Sequence, residues 1–72
     1  MSDQQPDINQ HIAQHIRELR LAKGYSLDQL AARSGVSRSS ISLIERAATS
    51  PTAVILEKLA AALDVSLASL FT

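Results

Sequence analysis

Between Ser34 and Ala47 the chain reads SGVSRSSISLIERA. Ser37, Ser39, Ser40 and Ser42 crowd around three large aliphatic residues, Ile41, Leu43 and Ile44. Serine is a mediocre helix former, because its hydroxyl competes for the backbone's own hydrogen bonds. So many serines in one helix-sized segment therefore call for a purpose other than helix stability. On a helical wheel of about 100° per residue, Ile41 and Ile44 point together into the protein, while Arg38, Ser39, Ser42, Leu43 and Arg46 share the opposite arc. That arc is low in relief, rich in hydroxyls and flanked by two arginines. Hydroxyls exchange hydrogen bonds with base edges and phosphates, arginine reaches guanine or phosphate, and a leucine meets a thymine methyl. The major groove of DNA, about 12 Å wide, admits a helix of this kind. The alternative for such a face is an ordinary solvated helix surface; the clustering of contact-making residue types favours nucleic acid.

A second pair with chemical potential is His11 and His15, four apart on one helix face and so able to share a metal. The chain has no cysteine, and only Asp7 stands near as a third ligand. Ordinary exposed histidines are the expectation, with no metal and no cofactor. Enzyme chemistry is not expected either. No nucleophile is accompanied by a base and an orienting group, no glycine-rich phosphate loop is present, and the chain is too short to enclose a pocket of about 300 Å³.

Helical elements must position the serine-arginine face. Ile8, Ile12, Ile16 and Leu19 recur every three or four residues, predicting a first helix from about residue 8 to Lys23, with Asp7 as N-cap and Gly24 as the stop. Residues 1–7 read as a disordered lead-in. Ser26 and Gln29 have the spacing of a capping box, opening a second helix with Leu27, Leu30 and Ala31 inward and Gly35 at its end. Ser37 caps the third helix. Ser50-Pro51 predicts the start of a fourth, with Ile55, Leu56, Leu59, Ala60 and Leu63 inward. Ser66 opens a short fifth that brings Leu67, Leu70 and Phe71 to the core. The expected class is all-α, a single domain over residues 8–72 in which short loops force neighbouring helices to pack. Ala31 is small where the second and third helices would cross, Gly35 sits in the turn, and Val36, Ile41 and Ile44 plug the angle between them. Together these give residues 27–46 the layout of a helix-turn-helix.

Seventy-two residues with zero formal net charge argue against a chain that coats nucleic acid through bulk charge. The charge is unevenly spread. Arg17, Arg20, Lys23, Arg33, Arg38 and Arg46 face only Glu18, Asp28 and Glu45 within residues 17–46, whereas the flanks are acidic. Arg17 and Lys23 could touch phosphates or merely solubilise the first helix. Leu21 and Val54 lie outside the main stripes, as incidental surface residues or as part of a dimer patch. No apolar run approaches the roughly 20 residues of a membrane span, and the polar start MSDQQPD lacks the features of a signal peptide, so a cytoplasmic protein without membrane contact is expected.

The run from Ile12 to Phe71, and above all LAARSGVSRSSISLIER, SPT and LAAALDVSLASLF, resembles the phage-repressor/Cro-type (XRE) helix-turn-helix DNA-binding domain. The resemblance implies a compact five-helix bundle of the lambda-repressor-like type, whose third helix enters the major groove of double-stranded DNA as a homodimer reading two half-sites. It implies a transcriptional regulator, expected to repress. The last third is particularly similar to bacterial regulators that append a ligand-sensing cupin domain, which would make this chain a fragment or a stand-alone relative of a longer repressor. On this resemblance Ser37, Arg38, Ser39 and Ser42 match positions that meet bases or phosphates, and Leu43 one that often does. Arg46 completes the same arc. Leu27 stands where many members carry a phosphate-contacting glutamine, so Ser26 or Gln29 would take over that contact. Arg20 and Glu45 match a pair that often forms a salt bridge between helices one and three. Ala47 stands where the family commonly has glycine, although alanine accepts positive φ poorly. The competing function is a protein-interaction or antitoxin-like module using the same fold, whose binding would survive moderate salt.

Overall fold

A computed structural model describes residues 8–72. Four α-helices, α1 (Ile8–Ala22), α2 (Leu27–Ser34), α3 (Arg38–Glu45) and α4 (Ala53–Ala62), are followed by a 3-10 helix, Leu67–Phe71. The described residues are therefore all-helical, with the expected fifth helix present as a 3-10 segment. The lead-in assigned to residues 1–7 and the Asp7 cap lie outside the described residues.

The aliphatic residues selected by periodicity form one core. Ile16, Leu30, Ile41, Leu59, Leu63 and Leu70 are fully buried, with Ile12, Val36, Ile44 and Leu56 nearly so. Each such side chain contributes roughly 1.5–3 kcal/mol on leaving water. In this core α1 packs on α3, α2 packs on both α3 and α4, and the 3-10 helix closes the end against α1 and α4. Leu19, Leu27, Ala31 and Ile55, expected inward, are only half-buried at its margin.

Local chemistry sets most boundaries. The Ser26 hydroxyl accepts from the Gln29 amide at 3.0 Å while the Gln29 side-chain carbonyl accepts from the Ser26 amide at 2.8 Å, so the capping box is complete. Gly35 stands at φ +75°, left-handed, and its N–H donates to the Ala31 carbonyl at 2.9 Å. Val36, anchored by its amide on the Ser34 hydroxyl at 3.1 Å, then dives into the core.

Four expectations need correction. Helix one stops at Ala22, one residue before Lys23, which lies in the turn to Gly24. Ile8, counted in the inner stripe, is 56% exposed because α1 overshoots the core at its start. Helix four begins at Ala53 with Thr52 as N-cap, the Thr52 hydroxyl accepting from the Ile55 amide at 3.2 Å, and not at Ser50-Pro51. Ser50 is used instead as the acceptor for the Asn9 side-chain amide at 2.7 Å, tying this loop to α1. Finally, Phe71 is 45% exposed. In a 3-10 helix residues i and i+3 eclipse, so Leu67 and Leu70 share the inner face and Phe71 is rotated outward.

Candidate nucleic-acid interface

Helix α3 is held from below by Ile41 and Ile44, and from one end by an ion pair. Arg20 of α1 donates through Nε and Nη2 to the two Glu45 carboxylate oxygens at 2.7 and 2.9 Å, and through Nη1 to the Tyr25 carbonyl at 2.9 Å. Both side chains are about nine-tenths buried. The Glu45 carboxylate keeps the guanidinium charged, raising its pKa above the ordinary arginine value against the opposing effect of burial. One side chain thus joins α1, the turn into α2 and the end of α3.

With its inner face fixed, α3 presents Arg38, Ser39, Leu43 and Arg46 to solvent, and Ser42 is half-buried at the edge of the same arc. Ser37 is the N-cap of α3: its hydroxyl accepts from the Ser40 amide at 3.2 Å and donates to the Ser40 hydroxyl at 2.8 Å. Ser39 lies 3.5 Å from the same oxygen. The Ser37 hydroxyl is therefore occupied by the helix itself, and Ser40 and Ser39 keep hydroxyl capacity for an outside partner. Ser26 and Gln29 are likewise engaged in capping α2, which uses their acceptor atoms and leaves the Ser26 O–H and the Gln29 side-chain NH₂ as donors. Arg38 Nε lies 3.2 Å from a carboxylate oxygen of Asp28 in the first turn of α2. That contact links the first turns of α2 and α3 across the surface.

At the other end of α3, Arg46 accompanies Arg17 on a groove of about 310 Å³ that also includes Gln14, Glu45 and Ala47. The two open cases, Arg17 and Lys23, therefore separate. Arg17 shares a groove with a residue of the outer arc, while Lys23 is directed to Asp64 at 2.9 Å. Ala47 adopts φ +55°, the left-handed conformation that alanine accepts poorly, immediately after α3. A second groove, about 200 Å³, runs beside α3 and is lined by Ser40, Leu43, Ile44 and the loop residues Thr49, Ser50 and Thr52. These hydroxyls and Ser40 were missed from sequence, although the run TSPT is legible as a hydroxyl-rich segment; read as a helix start, it concealed that it lines α3.

The histidine pair has another use. His11 Nε2 is 2.7 Å from the Thr72 carbonyl oxygen, and the two rings meet edge to face with centroids 6.0 Å apart. Among the described residues no group of three or more His, Cys, Asp or Glu side chains is placed to hold a metal ion. No described helix is long and apolar enough to cross a membrane.

The model of the family described as Helix-turn-helix (HTH_3) matches residues 16–70. SinR of Bacillus subtilis, an HTH-type transcriptional regulator, is 48% identical over 60 residues, covering 82% of this chain and 54% of SinR. An uncharacterized HTH-type transcriptional regulator of Sinorhizobium fredii, y4dJ, is 36% identical over 66 residues, covering 92% of this chain and 86% of its own length. The chain thus spans about half the length of SinR but most of y4dJ. Among solved structures, SinR in complex with DNA superimposes with a TM-score of 0.80 at 47% identity, covering 85% of this chain and 98% of that one. The restriction-modification controller protein C.AhdI of Aeromonas hydrophila superimposes with a TM-score of 0.84 at 41% identity, covering 88% and 96%.

Proposed function

Because the chain belongs to the helix-turn-helix family, we propose that residues 8–72 form the sequence-specific DNA-binding unit of a cytoplasmic transcriptional regulator, acting as a repressor with α3 in the major groove. One observation carries the proposal: Ile41 and Ile44 are buried while Arg38, Ser39 and Leu43 of the same helix are exposed. A rod anchored on one side by aliphatic residues, with hydroxyl and guanidinium groups on the other, has the size and chemistry of a groove reader. In this assignment Arg38, Ser39, Ser42 and Leu43 meet base edges. Ser37 acts mainly by shaping the start of α3, and Ser26 and Gln29 offer donors to a phosphate at the start of α2. Arg46, with Arg17 beside it, neutralises phosphates at the far end.

Only three cations, Arg17, Arg38 and Arg46, lie on this surface in the proposed assignment. With Arg38 on a base edge, Arg17 and Arg46 neutralise about two phosphates, which gives a slope of log affinity against log salt near −2 per domain. Such a domain alone binds weakly, which is why two copies on two half-sites, about 34–36 Å apart, complete the proposal. The relatives are regulators, and a structure of SinR with DNA is known, which supports the same reading.

The test begins with a random-sequence duplex pool from which the chain selects binders. The selected duplex is then titrated with wild type and with Arg38→Ala/Ser42→Ala. The expected result is an enriched, two-fold repeated sequence, a salt slope near −2 for each bound domain, and a loss of about tenfold or more in the double variant. A double variant that binds like wild type removes the proposed reading face. Binding to a protein partner that survives moderate salt, with no enriched duplex, would establish the interaction-module alternative.

A further inference from the structure

Asp28 is out of place on the surface just described. The chain has no net charge to spare, and a carboxylate beside a helix that approaches phosphates works against affinity. Its side chain is 80% exposed, so the pair with Arg38 stabilises the fold little. What it does change is the arginine. Arg38 occupies the first position of α3, at the positive end of the helix dipole, and α3 carries no acid in its own first turn. Asp28, reaching across from α2, supplies the missing negative charge and does so at Nε, the inner nitrogen of the guanidinium.

We propose that Asp28 is a specificity-determining positioning residue for Arg38. The inference rests on α3 entering a DNA groove. With the carboxylate beside Nε as an ion pair, the Arg38 side chain keeps four of its five N–H donors on its two terminal nitrogens, the pair whose geometry matches the O6 and N7 acceptors of guanine. A long, flexible arginine would otherwise divide its time between a base edge and the nearest phosphate. The Asp28 carboxylate suppresses the second use, because it repels any phosphate oxygen that approaches the same guanidinium. Discrimination is obtained from a repulsive element placed against the unspecific contact, at some cost in total affinity.

The experiment uses the duplex selected from the random pool and a scrambled duplex of the same composition. Both are titrated by fluorescence anisotropy with wild type, Asp28→Asn, Asp28→Glu, Arg38→Ala and Asp28→Asn/Arg38→Ala, each first shown to be folded by its thermal melt. Asp28→Asn is expected to tighten binding to the scrambled duplex and to reduce the ratio of selected to scrambled affinity about tenfold, the size of one bidentate base contact. Asp28→Glu, which keeps the charge, is expected to restore the ratio. Once Arg38 is alanine, Asp28→Asn should move both duplexes by the same factor. If Asp28→Asn tightens both duplexes equally while Arg38 is present, or leaves both unchanged, Asp28 does not position Arg38 and the proposal fails. A pool that yields no enriched sequence at all overturns the groove-reading assignment itself, and does so before any Asp28 variant is made.

Discussion

Glu45→Ala is the most informative perturbation of the scaffold that holds α3. It leaves Arg20, only 9% exposed, with the Tyr25 carbonyl as its one remaining partner from the three contacts described. Removing one member of a buried ion pair costs about 3–5 kcal/mol, because the survivor is a charge without compensation. Arg20 keeps one hydrogen bond and slight access to water, so a loss near 3 kcal/mol is expected. A 72-residue domain has roughly 4–11 kcal/mol in total, so this change removes a large part of it. At about 4–8 °C per kcal/mol, the midpoint of thermal unfolding should fall by roughly 12–24 °C. Far-UV circular dichroism against temperature and urea measures both quantities. The pair itself is a different matter: Arg20→Met with Glu45→Leu, which removes both charges and keeps apolar volume, should lie within about 1 kcal/mol of wild type. A Glu45→Ala protein that loses less than about 1 kcal/mol would refute the argument, because it would show that water already solvates Arg20.

Ala47→Gly should raise stability by up to about 1 kcal/mol in urea titrations, since glycine adopts φ +55° without the penalty alanine carries there. Ser37→Ala should cost about 1 kcal/mol by loss of the cap on α3, whereas Ser39→Ala, exposed and outside the cap, should stay within about 0.5 kcal/mol yet weaken DNA binding. Lys23 lowers the pKa of Asp64 below its usual 3.8 and is itself raised above 10.5. The Asp64 contribution is therefore present above pH 3.8 and lost as pH falls through its lowered value; that of Lys23 is present below 10.5 and lost as pH rises through its raised value. Wild type and Asp64→Asn should accordingly differ in melting temperature near neutrality, less so in high salt, and converge in strong acid.

Fold class, helix order and the inner faces of α1 to α4 were legible in the chain itself. Aliphatic residues at helical spacing leave little choice about which side turns inward, and Ser26, Gly35 and Ser37 mark their boundaries through bonds made within three or four residues. The same locality made Ile41 and Ile44 readable as anchors and the serine-arginine arc readable as the outer face of α3. At the start of α4 the local rule, a serine followed by proline, pointed to Ser50, whereas Thr52 is the cap; the bond from Asn9 to Ser50, between residues 41 apart in sequence, belongs to the folded arrangement. The exposure of Phe71 follows from the choice of a 3-10 over an α-helical turn, which packing at the bundle end decides. Asp28 beside Arg38, Arg17 beside Arg46 and the Thr49–Thr52 loop alongside α3 are likewise products of how helices are set against one another. Sequence determines what depends on neighbours along the chain. Which charges and hydroxyls meet across helices depends on crossing angles and loop paths, and those exist only once the core has closed.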